Sequence, residues 1–267
     1  MSCYQYEEYH FNKPLLNVDA TYIIHLVGNG RYESIIDQLH KYPISKKVYI
    51  VLNQGYKKCQ KDSSITKPPL DLIDAFLEIF KHAENKENIL ILEDDFMFDD
   101  KILDPFHQNN VNKFIEKKST STFLYYIGAL PYLLFLYDFY NYKNIASGGT
   151  HSIIYSKKMR ERILLSKKGP SDIHDWDVYL NLQSNRYVYY TPLCYQYFLE
   201  TENTKHWGDH NSILFFLAPI LKSFLNLLDL DNSIKGYSIL YFVSKLWFLL
   251  FLIIIWILLT FIISLKM

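Results

Sequence analysis

Residues 89–95 read Ile-Leu-Ile-Leu-Glu-Asp-Asp, an uncharged apolar run that ends in three consecutive carboxylates. A short apolar run of this kind predicts a buried strand in a helix-covered sheet. Carboxylates crowded at the end of a buried strand repel one another, so they need either water or a divalent cation. In open α/β sheets ligands bind beyond the carboxyl ends of the strands, and Glu93, Asp94 and Asp95 stand at such an end. The blander reading is a surface turn after the strand, where acids are common.

The preceding segments supply the rest of a sheet. Thr21–Val27 predicts a strand ending in Gly28-Asn29-Gly30, and Tyr32–Lys41 carries Ile35, Ile36 and Leu39 on one helical face. Lys47–Leu52 predicts a second strand, and Leu70–His82 a second helix with Leu72, Ile73, Phe76, Leu77 and Phe80 along one side. Strand, helix, strand, helix, strand argues for an α/β domain with a mostly parallel central sheet. Side chains alternate across an extended backbone, so Glu93 and Asp95 are expected to face the same way. Asp71 falls in the first turn of the second helix, where capping is the stronger reading of a carboxylate.

This order, closed by Leu92-Glu93-Asp94-Asp95, resembles the nucleotide-binding half of a GT-A fold glycosyltransferase. The Leu-Glu-Asp-Asp form is similar to glycosyltransferase family 25, which includes lipooligosaccharide and collagen galactosyltransferases and relatives in large DNA viruses. The likeness runs from about Thr21 to Gly208, and its acidic core is the specific part. The resemblance implies a UDP-sugar donor and a divalent metal, Mn2+ or Mg2+, held by Glu93 and Asp95. Asp94 then meets the metal, the sugar or the ribose.

Three later segments gain meaning from the resemblance. In Ala146-Ser147-Gly148-Gly149-Thr150-His151 the paired glycines let backbone approach a ligand. The resemblance implies that Gly149, Thr150 and His151 line the donor cleft, with a purely structural histidine as the competing reading. In His174-Asp175-Trp176-Asp177 the question is one of proton transfer. A hydroxyl is a poor nucleophile, and a carboxylate within hydrogen-bond reach removes its proton as the new bond forms. The resemblance implies such a base here, with Asp175 and Asp177 as candidates and Trp176 as a stacking surface for a sugar ring. If a helix opens at this point, its acids are also natural first-turn residues, and because the two point to different faces only one is expected to be the base. Further on, the resemblance implies His206 as another metal ligand and Lys205 as a phosphate contact, with an ordinary loop histidine as the competing reading. Arg31, just past the first strand, is a further cation for the nucleotide, or else a solvated arginine.

Composition limits the partners. With 28 basic and 28 acidic residues the chain has no net charge, so there is no electrostatic case for nucleic acid. Cys3, Cys59 and Cys194 are scattered and odd in number, which predicts neither a disulfide framework nor a zinc site and makes a reducing compartment the default. No apolar stretch near Met1 reads as a signal peptide. Leu246 to Leu265 carries no charge and is bounded by Lys245 and Lys266, the length a helix needs to cross about 30 Å of hydrocarbon. That layout predicts a single-pass, tail-anchored protein with its body on the cytosolic side. Leu217, Ile220, Leu221, Phe224, Leu225 and Leu228 recur at helical spacing and predict a helix lying in the membrane interface or packed on the core.

The domain reading is an extension over 1–20, a GT-A-like domain over 21–210, an interfacial linker over 211–244 and an anchor over 245–266. The expected activity is metal-dependent transfer of a hexose from a UDP-sugar to a hydroxyl of a glycan, lipid-linked or protein acceptor. A metal-dependent phosphohydrolase and a non-catalytic, membrane-tethered nucleotide- or glycan-binding module are the competing expectations.

Overall fold

The computed structural model describes residues 2–166, 169–196, 227 and 234–264. Seven strands form the main sheet: β1 (Tyr4–His10), β2 (Ala20–Leu26), β3 (Lys47–Asn53), β4 (Asn88–Glu93), β6 (Leu124–Leu136), β7 (Asn141–Ser156) and β8 (Arg186–Tyr189). Their order across the sheet is β1-β3-β2-β4-β7-β6-β8. A short antiparallel ribbon, β5 (Phe96–Phe98) with β9 (Cys194–Gln196), stands beside it.

Strands β3, β2 and β4 are parallel neighbours, as the alternation of strands and helices predicts. The sheet as a whole is mixed, which corrects the expectation of a mostly parallel one. Strand β7 runs antiparallel between β4 and β6 because β6 and β7 form a hairpin, and hairpin strands pair only that way. Strand β1, from the segment read as an extension, pairs antiparallel with β3 along its whole length.

Helices α1 (Tyr32–Lys41) and α3 (Pro105–Lys118) cover one face through Ile35, Leu39, Val111 and Phe114. Helices α2 (Pro68–His82), α4 (Lys157–Ser166) and α5 (Trp176–Asn181) cover the other through Ile73, Phe76, Phe80, Met159, Ile163 and Leu180. Proline in the first turn of α2 and α3 removes a donor that has no helical acceptor there. Trp176 belongs to this second layer, buried and stacked on Phe76 with ring centroids 4.8 Å apart. It is therefore core, which corrects its reading as a sugar-stacking surface.

The two cysteines nearest the first strands also depart from expectation. Cys3 and Cys59 form a disulfide that ties the start of β1 to the loop after β3, while Cys194 is free and buried. Disulfides persist in oxidising compartments, so the bond withdraws the expectation of a reducing one.

Helix α6 (Ile234–Ser264) begins inside the body of the protein. Tyr237, Leu240, Tyr241 and Ser244 are buried, and this first part lies along β6. The boundary read at 244/245 falls within one uninterrupted helix. From Leu246 to Leu258 its apolar side chains are largely exposed, and over Lys235–Leu258 it is long and apolar enough to cross a membrane.

Candidate functional site

Strand β4 ends at Glu93, and Asp94 and Asp95 form the turn into β5. This turn sends the three carboxylates to different partners. Asp94 folds back over the β2–α1 turn. Leu26 N–H donates to its Oδ2 (3.1 Å), Asn29 Nδ2 donates to the same oxygen, and Arg31 Nη1 donates to Oδ1 (2.7 Å). His25 Nδ1 lies 3.3 Å from Oδ2. Burial alone would raise this carboxyl, but His25, Arg31 and Asn29 outweigh it and hold Asp94 below the usual carboxylate range.

Glu93 and Asp95 have the opposite character. Burial first, and then the charge of Asp95, push the Glu93 carboxyl up to about 8. Burial and the charge of Asp94 push Asp95 up to about 6. Asp95 Oδ2 accepts from Gln196 Nε2 (2.9 Å) and lies 3.3 Å from Arg31 Nη1, while its buried Oδ1 has no hydrogen-bond partner among the described residues.

The glycine-rich segment reaches the same place from β7. Opposite Gly128 and Leu130 the register of β7 jumps from Ser152 to Gly148, so residues 149–151 bulge out of the ladder. Gly149 has a φ of +75°, which other residues rarely adopt. The bulge turns Thr150 toward β4, where its hydroxyl donates to Glu93 Oε1 (2.8 Å), and it frees Gly149 N–H to donate to Asp177 Oδ2 (3.1 Å).

Asp175 and Asp177 divide as a helix start requires. Asp175 caps α5, accepting Val178 N–H at 2.8 Å, and its side chain is exposed. Asp177 turns inward. Burial and the charge of Asp175 push its carboxyl up to about 6 against the opposing Gly149 and Thr150 contacts. Glu93 feels Asp177 as well as Asp95, so three raised carboxyls share one neighbourhood.

His151 is fully buried, with its ring edge-on to Tyr237 at 6.1 Å. Burial lowers its pKa to about 4, so it is neutral at physiological pH. Asp71 is also buried, and its carboxylate pairs with Lys61 Nζ (2.7 Å) and accepts from Asn53 Nδ2 (2.9 Å). The N-cap of α2, Lys67, makes no side-chain cap hydrogen bond, and Asp71, an acid of the first turn as expected, also serves this ion pair. Lys205 and His206 lie outside the described residues. Among the described residues, no three His, Cys, Asp or Glu side chains are placed to hold a metal ion by themselves.

Several neighbours carry no signal in the sequence. Gln196 reaches Asp95 only because β9 pairs with β5. Tyr237 Oη in turn accepts from Gln196 N–H (3.1 Å), so α6 meets the acidic turn through one intervening residue. The loop held by Cys59 brings Lys58 Nζ to within 3.4 Å of where a side chain on Gly28 would begin. Gly128 is required by close approach, since a Cβ there would stand 2.1 Å from the Cys194 carbonyl oxygen.

No family model matches the chain, and no curated protein matches it. Among solved structures it is similar to the crystal structure of A197 from STIV, with 14% identity, a TM-score of 0.40 and coverage of 68% of this chain and 86% of that one. It is also similar to a glycosyltransferase involved in the glycosylation of the major capsid of PBCV-1, with 10% identity, a TM-score of 0.38 and coverage of 70% and 96%.

Proposed function

We propose that this protein is a metal-dependent glycosyltransferase that moves a hexose from a UDP-sugar to a hydroxyl of a glycan, lipid-linked or protein acceptor at a membrane surface. The observation that carries the reading is the gathering of Glu93, Asp95 and Asp177, three carboxyls with raised pKa values, at the carboxyl end of a central strand, Asp95 buried and the other two half-buried. Perturbed, mutually repelling acids in one place are the mark of a chemical site rather than a solvated turn.

Glu93 and Asp95 fit a divalent cation. Burial raises both acids, Asp95 raises Glu93 further and Asp94 raises Asp95 further, and Asp95 Oδ1, unpartnered among the described residues, offers a lone pair to it. Mn2+ or Mg2+ bound there would neutralise charge on the departing diphosphate. Two acids do not complete a coordination shell, and His206 is the chain's own candidate for a third ligand. Arg31, already against Asp94 and Asp95, and Lys205 supply positive charge for the phosphates.

Asp177 is the proposed base. Its carboxyl is ionised at neutral pH yet basic enough to take a proton from an acceptor hydroxyl, and Gly149 N–H fixes one of its oxygens. Direct attack of that hydroxyl on the anomeric carbon inverts its configuration. The apolar part of α6 supports attachment to a membrane. The Cys3–Cys59 bond opposes a cytosolic body.

A donor screen tests the reading by measuring UDP release from several UDP-sugars with and without Mn2+. The expected result is release from one donor that requires Mn2+ and is increased by an acceptor. Release at the same rate without any acceptor identifies a hydrolase, and binding of UDP without turnover identifies a binding module.

A further inference from the structure

We infer that the tip of the β6–β7 hairpin is a second membrane contact, inserting Leu136 and Phe139 into the interface while Lys117, Lys118 and Lys143 meet anionic lipid headgroups. This inference rests on the proposed insertion of α6.

The tip is apolar and open to solvent. Phe139 is 92% exposed and Leu136 59%, with Tyr140 beside them and Phe106 of α3 packed edge-on to Tyr140 at 5.4 Å. Large apolar side chains grouped at the surface in this way mark an interaction site. The one acid at the tip is already used, since Asp138 Oδ1 accepts from Tyr140 N–H and Asn141 Nδ2.

Positive charge gathers just behind the tip. Lys118 and Lys143 both donate to Tyr187 Oη, at 3.2 and 2.9 Å, and Lys117, Lys118 and Lys143 lie 5.4, 4.8 and 5.7 Å from the Tyr137 ring. None of the three forms an ion pair among the described residues. Lysines behind exposed aromatic and aliphatic side chains are the pattern of a segment that binds an anionic membrane surface.

Position on the fold selects a lipid surface over a protein partner. Lys245, at the start of the apolar stretch of α6, donates to the Tyr190 carbonyl and sits 4.9 Å over the Tyr142 ring. Tyr190 N–H donates to the Tyr140 carbonyl (2.9 Å), and Phe135 meets Phe248 with ring centroids 4.8 Å apart. The tip is thereby fixed beside residues 245–248 of α6, the level at which that helix would enter hydrocarbon. A hairpin fixed at that level lies in the headgroup zone whenever the helix is inserted, where aromatic side chains and lysines are stable.

The full chain, reconstituted into phosphatidylcholine vesicles with or without phosphatidylserine, tests this. Phe139→Cys is labelled with an environment-sensitive fluorophore, and Glu84→Cys, at the opposite end of the sheet, serves as the water-exposed control. The expected result is flotation of both proteins with the vesicles, with a blue shift and quenching by spin-labelled lipid for the Phe139 probe alone. Replacing Lys117, Lys118 and Lys143 with glutamine is expected to remove the extra quenching that phosphatidylserine brings. Flotation with a water-like Phe139 probe overturns the hairpin contact and leaves the helix anchor standing. Failure to float overturns both, and an unchanged response to phosphatidylserine in the lysine variant overturns the headgroup contact.

Discussion

Near pH 8 the Glu93 carboxyl of the free protein is half protonated, because burial and Asp95 raise its pKa to about 8. A carboxyl whose folded-state pKa exceeds its unfolded value binds more protons when folded, so its contribution to stability falls as pH rises between those values. For Glu93 the window runs from the ordinary value of 4.5 to about 8. Glu93→Gln is therefore expected to raise the melting temperature at pH 8 by roughly 2–4 °C for each kcal/mol of relieved repulsion, and to flatten the fall between pH 5 and pH 8. Mn2+ should raise the melting temperature of the wild-type protein at pH 8 and leave the variant little changed. A scan in which both proteins respond alike to pH and Mn2+ contradicts this. Asp177 is expected to set the acid limb of activity. As a base it must be ionised, so kcat/KM should rise with pH through about 6, and Asp177→Asn should lose about 10²–10⁴-fold and the limb itself. The acid triplet and the Asp175/Asp177 pair were legible in the sequence because strand and helix periodicities are local. The role of Gln196 was not, since it depends on pairing between strands about a hundred residues apart.

The elements follow the same division. Tyr32–Lys41 was read to the residue and Lys47–Asn53 to within one, because apolar spacing in short segments reports directly on burial. Strands β1 and β6 escaped, and although the apolar residues after Gly149 read as a return to a strand, its antiparallel pairing did not show, and with it the mixed character of the sheet. Their partners are chosen by long-range pairing, and the bulge at 149–151 breaks the alternation that would mark a strand. Cys3 and Cys59 were misread for a related reason, since spacing cannot show that β1 lies along β3 and brings two distant residues together. Closing a loop of this size restricts the unfolded chain and is worth typically 2–4 kcal/mol. The double variant Cys3→Ser, Cys59→Ser is expected to lose stability of about that size, and the native protein unfolded without reductant should show one reactive thiol, from Cys194. Three reactive thiols would exclude the bond. Lys58 beside Gly28 depends on the same loop, so donor affinity is expected to weaken in the double variant more than turnover does.

At the scale of the whole molecule, α6 connects the acidic turn to the apolar segment. Tyr237 touches Gln196 and His151 near one end, and Lys245 marks the start of the exposed apolar stretch two turns further on. At 1.5 Å per residue the acidic turn lies on the order of 12 Å along the helix from the level of Lys245. That geometry suits an acceptor presented at a membrane surface. Fusion of the site to the helix could not be read from the sequence, where the uncharged stretch begins at Leu246 and residues 211–244 read as an interfacial linker. In the proposed function Glu93, Asp95 and Asp177 form a metal-assisted transfer site. Its most direct test compares acceptor-stimulated UDP release by wild-type protein and Asp95→Ala, with and without Mn2+, alongside thermal unfolding of both. The expected result is Mn2+-dependent release that is lost in a variant that still folds cooperatively. Full activity in folded Asp95→Ala would contradict it.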